Sequence, residues 1–148
     1  MERKIKMIDK SVMIITGTRK GIGKYLAEYF AEKGFFVIGC SRSDIDYKLN
    51  NYQHYCLDIS DESLVNKMFT MIRKKYGRLD VLINNAGVNY ALSPLLLIPF
   101  ESAMKTININ FMGTFLFTRE AVKIMKQNSY GRIINFGSMA MKHEVKGE

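Results

Sequence analysis

Short runs that are apolar at every position alternate along the chain with longer stretches in which apolar residues recur every three or four positions. Val12-Met13-Ile14-Ile15 is apolar throughout and rich in β-branching, and predicts a fully buried first strand over about 11–16. Ile22, Leu26, Ala27, Phe30 and Ala31 then share one helical face, predicting a helix over 21–33 with Gly34 at its C-cap. Phe35-Phe36-Val37-Ile38 reads as a second buried strand ending near Cys40, residues 43–51 as a polar turn, and Tyr55-Cys56-Leu57 as a short third strand stopping at Asp58. Ser60 and Asp61 are good N-caps for a second helix, which carries Leu64, Val65, Met68, Phe69 and Ile72 on one face and ends before Gly77. Val81-Leu82-Ile83 is a fourth strand, residues 88–99 with Pro94 and Pro99 a loop, 101–127 one long helix, and Ile133-Ile134-Asn135-Phe136 a fifth strand. Residues 1–10 form a charged lead-in, and the last ten are polar without a definite pattern.

Strands that are apolar throughout and alternate with helices predict an α/β fold, a parallel sheet covered on both faces. Right-handed crossovers make it doubly wound and three-layered. In such sheets the ligand lies at the carboxyl ends of the strands. The unusual residues of this chain fall there: a glycine turn after strand one, Ser41-Arg42 after two, Asp58 after three, Asn84-Asn85-Ala86-Gly87 after four and Ser138 after five. The first of these, Thr16-Gly17-Thr18-Arg19-Lys20-Gly21-Ile22-Gly23, joins a strand to a helix N-terminus, where glycines let an anion approach free N–H groups. Its G-x-x-x-G-x-G spacing differs from the common G-x-G-x-x-G fingerprint, and taken alone it also fits a tight turn with no ligand.

A length of 148 residues is one domain's worth, and an apolar fraction of 47% argues against disorder. The net charge of +8 would suit a nucleic acid or a membrane surface. The basic residues are nevertheless scattered, apart from Arg3, Lys4, Lys6 and Arg73-Lys74-Lys75, with no nucleic-acid motif beside them, so solvated helix faces are expected and no nucleic-acid partner. Cys40 and Cys56 match no metal or redox spacing, so no metal is expected and the thiols fit a reduced, cytoplasmic protein. No apolar run approaches the roughly 18 residues of a membrane span, and Val12–Ile15 is too short for a secretion signal.

Four motifs in order resemble those of the short-chain dehydrogenase/reductase family, over about residues 10–140. Residues 16–23 are similar to its T-G-x-x-x-G-I-G cofactor loop, and Asn84-Asn85-Ala86-Gly87 to its N-N-A-G motif. Asn110-Phe111-Met112-Gly113-Thr114-Phe115 resembles its N-x-x-G-x-F segment, and Gly131–Ser138 the strand leading to its catalytic serine. The resemblance, closest in style to 3-oxoacyl-carrier-protein reductases, implies a Rossmann-like NAD(P)-binding domain over 1–148, incomplete at its C-terminus and truncated after the fifth strand. It implies that Gly17, Thr18, Arg19, Lys20, Gly21, Ile22 and Gly23 hold a pyrophosphate, that Asp58 and the Ile59 backbone meet the adenine, and that Asn85, Ala86 and Gly87 line the ribose site, with Asn84 bracing the sheet. Ser138 would bind the substrate oxygen, and Asn110 would hold a relay water through its main chain. The plainer alternatives are a strand-end cap for Asp58, a polar helix flank for Asn110 and a turn serine for Ser138.

Where NAD-binding sheets of this kind carry an acid on the ribose, this chain reads Cys40-Ser41-Arg42-Ser43, with no acid before Asp44. Arg42 offers a planar cation for a 2′-phosphate, with Ser41, Arg19 and Lys20 nearby in the sequence pattern. NADP(H) is therefore the expected cofactor, with NAD(H) possible and a solvated surface arginine as the alternative role for Arg42. The family's Tyr-x-x-x-Lys, which lends the tyrosine its acid–base function, would fall just beyond Glu148. Tyr29-x-x-x-Lys33 is a coincidence of spacing on the first helix. Two readings follow: a reductase interconverting a carbonyl and a secondary alcohol, homo-oligomeric when complete, or a truncated dinucleotide-binding or interaction protein without catalysis. In loop 88–99, Tyr90, Leu92 and Leu95–Ile98 offer at most an apolar substrate wall. Acyl-thioester ketones, sugars, steroid-like alcohols and small ketones all remain compatible.

Overall fold

In the computed structural model, which describes residues 10–89 and 94–138, β1 (Val12–Thr16) is buried at every position. The reason lies in its two-sided environment. Val12 and Ile14 face one apolar cluster, and Met13 and Ile15 face another on the opposite side of the sheet. Full burial of each such side chain stabilises by about 1.5–3 kcal/mol. β1 pairs in parallel with β2 (Phe36–Ser41) on one side and β4 (Val81–Asn84) on the other. β3 (Tyr52–Cys56) extends the sheet beyond β2, and β5 (Arg132–Asn135) beyond β4, giving the order β3-β2-β1-β4-β5. The doubly wound parallel sheet expected from the sequence is thus observed among the described residues.

α1 (Gly21–Glu32) covers one face through Ala27 and Ala31. α2 (Glu62–Tyr76) and α4 (Thr114–Gln127) cover the other, with Phe69 and Phe117 in edge-to-face contact at 5.4 Å. Asp61 caps α2, accepting a bond from the Leu64 amide at 3.0 Å, and Gly77 ends it in the left-handed conformation at φ 68°.

Two expectations need correction. The third strand lies at Tyr52–Cys56, three residues earlier than the apolar triplet 55–57 suggested. It is a half-exposed edge strand, so it lacks the continuous apolar run of its neighbours. The long helix 101–127 is three segments: α3 (Phe100–Ile107), a π-helical stretch Asn108–Gly113, and α4. Gly113 presses on Ile59, where a Cβ would come within 2.6 Å of the Ile59 Cδ1.

The seam between α2 and α4 carries a buried carboxylate. Glu120 accepts from Lys123 Nζ at 2.6 Å and Arg119 Nε at 3.0 Å, while Arg119 also reaches Glu62 at 2.7 Å. Burial pushes the Glu120 carboxyl up, but the bonds from Lys123 and Arg119 outweigh it and leave it below its ordinary value. A depressed folded-state value means stability that is present above the ordinary carboxylate range, near pH 4, and is lost as pH falls through the depressed value. Glu120→Gln is therefore expected to lower the unfolding free energy at neutral pH and to flatten its decline between about pH 5 and 3, measured by urea denaturation at each pH. An unchanged acid slope would contradict this role.

Candidate functional site

The glycine turn after β1 is clamped from both neighbouring strands. From β2, the Cys40 carbonyl accepts the amides of Gly17 at 2.8 Å and Thr18 at 3.2 Å. From β4, the amides of Asn85 and Ala86 both donate to the buried Thr16 Oγ1, at 3.0 and 2.9 Å, and Asn85 Nδ2 donates to the Thr16 carbonyl at 2.8 Å. Gly17 has φ +75°, and a Cβ there would lie 2.9 Å from the Ala86 Cα. A Cβ on Gly23 would lie 2.2 Å from the Gly17 carbonyl oxygen. α1 then follows its N-cap Lys20 with no side-chain cap and no acid in its own first turn, so its leading N–H groups and positive dipole end are not used by the helix itself.

Beside this turn lies a cleft of about 210 Å³ at the carboxyl edge of the sheet. Nine of the expected residues line it: Gly17, Arg19 and Lys20 from the turn, Ser41 and Arg42 from the end of β2, Asp58 and Ile59 after β3, and Ala86 and Gly87 after β4. Arg19, Lys20 and Arg42 are exposed cations around it. Asp58 lines the cleft and also caps the strand end, its Oδ1 accepting from the Ser60 amide at 2.9 Å and the Ser60 hydroxyl at 2.7 Å. Leu57, Val88 and Ile109 add an apolar rim that the motifs did not indicate. Cys40 is part of the lining, and burial pushes its thiol up to about 12, so it is a neutral wall and no nucleophile.

The other expected residues stand behind or beside the cleft. Asn85 turns its amide inward to hold the glycine turn. Thr18 is buried, with its Oγ1 2.8 Å from the Tyr52 hydroxyl, while Ile22 is exposed on α1. Gly21 has φ +60° with open space around it, and Gly23 is buried against Gly17. Asn110 sits in the π-helical stretch and grips Val88 at both ends, accepting from its amide and donating to its carbonyl, each at 2.8 Å. This side-chain clamp was not foreseen. The role expected for its main chain concerns different atoms. Asn84 braces the sheet as expected, donating to Asn135 Oδ1 at 2.8 Å and Thr118 Oγ1 at 3.2 Å. Ser138 follows β5 at the same edge, exposed. Tyr29 lies on α1 and Lys33 is its C-cap, the Lys33 ammonium 5.5 Å from the Tyr29 ring, and neither lines the cleft. In the loop after β4, Tyr90 and Leu92 fall outside the described residues, while Leu96 and Leu97 are exposed.

A polar relay that no sequence motif marks lies behind the turn. Tyr47 donates to the Thr18 carbonyl, the Tyr52 hydroxyl lies 2.8 Å from His54 Nδ1, and His54 Nε2 lies 3.0 Å from Ser41 Oγ. The only sequence signal was Tyr52, His54 and Cys56 at alternate positions, which a strand turns to one face.

The model of the short chain dehydrogenase family matches residues 11–148. The chain is 32% identical over 139 residues to the 3-oxoacyl-[acyl-carrier-protein] reductase FabG of Buchnera aphidicola subsp. Schizaphis graminum, covering 89% of this chain and 56% of that protein. Among solved structures it resembles ElxO with NADP bound, at 34% identity and TM-score 0.86 over 93% of this chain and 59% of the other. It also resembles 4-hydroxyisoleucine dehydrogenase complexed with NADH, at 26% identity and TM-score 0.83 over 93% of this chain and 60% of the other. The chain thus spans about half the length of the curated relatives it matches. No described helix is long and apolar enough to cross a membrane.

Proposed function

The chain belongs to the short-chain dehydrogenase family, and on that premise we propose that it forms the cofactor-binding part of an oxidoreductase interconverting a carbonyl and a secondary alcohol with NADP(H). The observation that carries this reading is the cleft itself, where the glycine turn, the uncapped start of α1 and three cations meet one carboxyl edge of the sheet. The donor set fits a dinucleotide. Its N–H groups and Arg19 and Lys20 suit a pyrophosphate, and Ile59, Ala86 and Val88 suit flat apolar rings. When bound, the nicotinamide supplies the hydride exchange.

The chain's own residues do the rest. Gly17 lets the backbone approach the phosphates, and the bonds from Asn85 to Thr16 hold the turn in shape. Ser138 Oγ donates a hydrogen bond to the substrate carbonyl oxygen, favouring the form in which negative charge develops there. Asn110 fixes the Val88 backbone beside the cleft. Proton transfer belongs to a Tyr-x-x-x-Lys accompanying this chain in the active protein, since neither Tyr29 nor Lys33 lines the cleft. The exposed apolar residues Phe100, Ile107, Phe111 and Phe115 along α3, the π-helical stretch and α4 support burial against further elements or a second subunit.

Arg42 at the end of β2 is the basis for preferring NADP(H). The nearest following acid, Asp44, does not line the cleft, and its Oδ1 accepts the Ile45 amide at 2.9 Å. NADPH and NADH dissociation constants from cofactor fluorescence test this without requiring turnover. NADPH is expected to bind more tightly, and Arg42→Ala to weaken NADPH about tenfold to a hundredfold, the worth of a charge-assisted bond, while moving NADH by less than about twofold. Equal losses for both cofactors would leave Arg42 a general cation, and tighter NADH binding by the unaltered protein would reverse the assignment.

A further inference from the structure

Three side chains of different metal-ligating chemistry converge beside the cofactor cleft: the Asp44 carboxylate, the His54 imidazole and the Cys56 thiol, with their ligand atoms all within 4.8 Å of one another. His54 and Cys56 are two residues apart on β3 and so project from the same face of the edge strand. Asp44 arrives from the segment after β2, which β3 meets in register, Ser41 beside Cys56. We infer that Asp44, His54 and Cys56 form a site for a thiophilic divalent cation, Zn²⁺ or its chemical equivalent, with a fourth position open to water.

The chemistry of the set selects the ion. One sulfur, one nitrogen and one oxygen match zinc, whereas calcium and magnesium prefer oxygens alone. A tetrahedral zinc holds its ligand atoms roughly 3.5 Å apart, so the triad closes with side-chain movements of about an ångström. Asp44 and Cys56 are exposed and His54 is half-buried, so the Cys56 thiol can turn and the Asp44 carboxylate can offer the oxygen that does not hold the Ile45 amide. The histidine is already oriented. Its Nε2 is the nitrogen turned toward the 41–44 segment, 3.0 Å from Ser41 Oγ and 3.3 Å from the Ser43 carbonyl. Ser41 Oγ donates to the Ser43 carbonyl at 2.6 Å, so both oxygens accept from Nε2–H; zinc would displace that proton, and with the ring proton on Nδ1 instead the Tyr52 hydroxyl, 2.8 Å away, would accept it. In that second tautomer Nε2 offers its lone pair to the metal, and Nδ1–H makes the outer hydrogen bond that metal-bound histidines characteristically make. Binding would tie the segment carrying Arg42 to β3.

Zinc chloride titrated into the protein against a chromophoric chelator is expected to show one Zn²⁺ per chain. Cys56→Ser and His54→Ala should each weaken it at least tenfold, and Asp44→Asn less. In the unaltered protein zinc should slow alkylation of Cys56 at least tenfold, followed by mass spectrometry, with the buried Cys40 as internal reference. Cobalt in place of zinc should give a thiolate charge-transfer band that Cys56→Ser lacks. The absence of stoichiometric zinc, affinity indifferent to both Cys56→Ser and His54→Ala, or a Cys56 alkylated equally fast with zinc present would each overturn the site. The alkylation measurement needs no variant, so a misfolded substitution cannot decide the matter, and none of these readouts depends on NADP(H) or turnover.

Discussion

Gly23→Ala is expected to destabilise the protein by about 2–4 kcal/mol and to abolish measurable cofactor binding. Two effects oppose each other. Alanine is the better helix former by up to about 1 kcal/mol, and Gly23 lies in the first turn of α1. Against that, the added Cβ would lie 2.2 Å from the Gly17 carbonyl oxygen and 2.5 Å from Asn85 Nδ2. The first contact is backbone, so it cannot be relieved by a rotamer change. The second atom is already committed, donating to the Thr16 carbonyl at 2.8 Å, so displacing it dismantles the clamp from β4. Overpacking costs about 1–3 kcal/mol, and each displaced hydrogen bond about 1 kcal/mol more, which outweighs the helix gain. Gly21→Ala is the comparison. With nothing near its Cβ, it should cost only the left-handed strain at φ +60°, about 1 kcal/mol. Urea denaturation of the two variants beside the parent decides the matter, and a Gly23→Ala protein as stable as the parent would refute the packing argument.

Ser138→Ala should lower kcat by about 10²–10³ while leaving the NADPH dissociation constant unchanged, in a protein where the Tyr-x-x-x-Lys accompanies this chain. The position supports a role toward substrate. β5 is locked to β4 in register at Asn84 and Asn135, their side chains bond at 2.8 Å, and the Phe136 amide donates to the Asn84 carbonyl at 3.0 Å. The chain reaching Ser138 is therefore fixed relative to the Asn-Asn-Ala-Gly segment, whose Ala86 and Gly87 line the cleft. Loss of transition-state stabilisation without loss of cofactor affinity is what separates this role from a structural one. A kcat within about twofold of the parent would remove Ser138 from the chemistry.

Sequence patterns were most informative where burial is two-sided. β1, β2 and β4 could be read because residues facing both clusters must be apolar, and the glycine turn because few other residues tolerate its backbone. β3 was misplaced because an edge strand satisfies one face with polar groups, here Gln53 bonded to Tyr55, Lys75 and Tyr76. The π-helical stretch had no signature, since Asn108–Gly113 keeps the composition of the helices around it. Asn85 was assigned by motif to the cleft wall, but the motif could not say which way its amide turns. The triad of Asp44, His54 and Cys56 was invisible for another reason: spacing rules look for paired cysteines, whereas these ligands come from a strand and a loop joined only by the fold.

The double clamp on the glycine turn also has a consequence for the order in which the protein is made. The hydroxyl of Thr16 waits for amides 69 and 70 residues further along the chain. During synthesis, β1, α1 and β2 can emerge and pair, and the Cys40 carbonyl can already hold one side of the turn. The other side stays open until β4 has left the ribosome and docked beside β1, a late, non-local pairing of the kind that slows folding. A nascent chain that stops before Asn85 would therefore carry the phosphate-loop sequence without its completed shape, and binding competence would switch on as β4 closes the centre of the sheet.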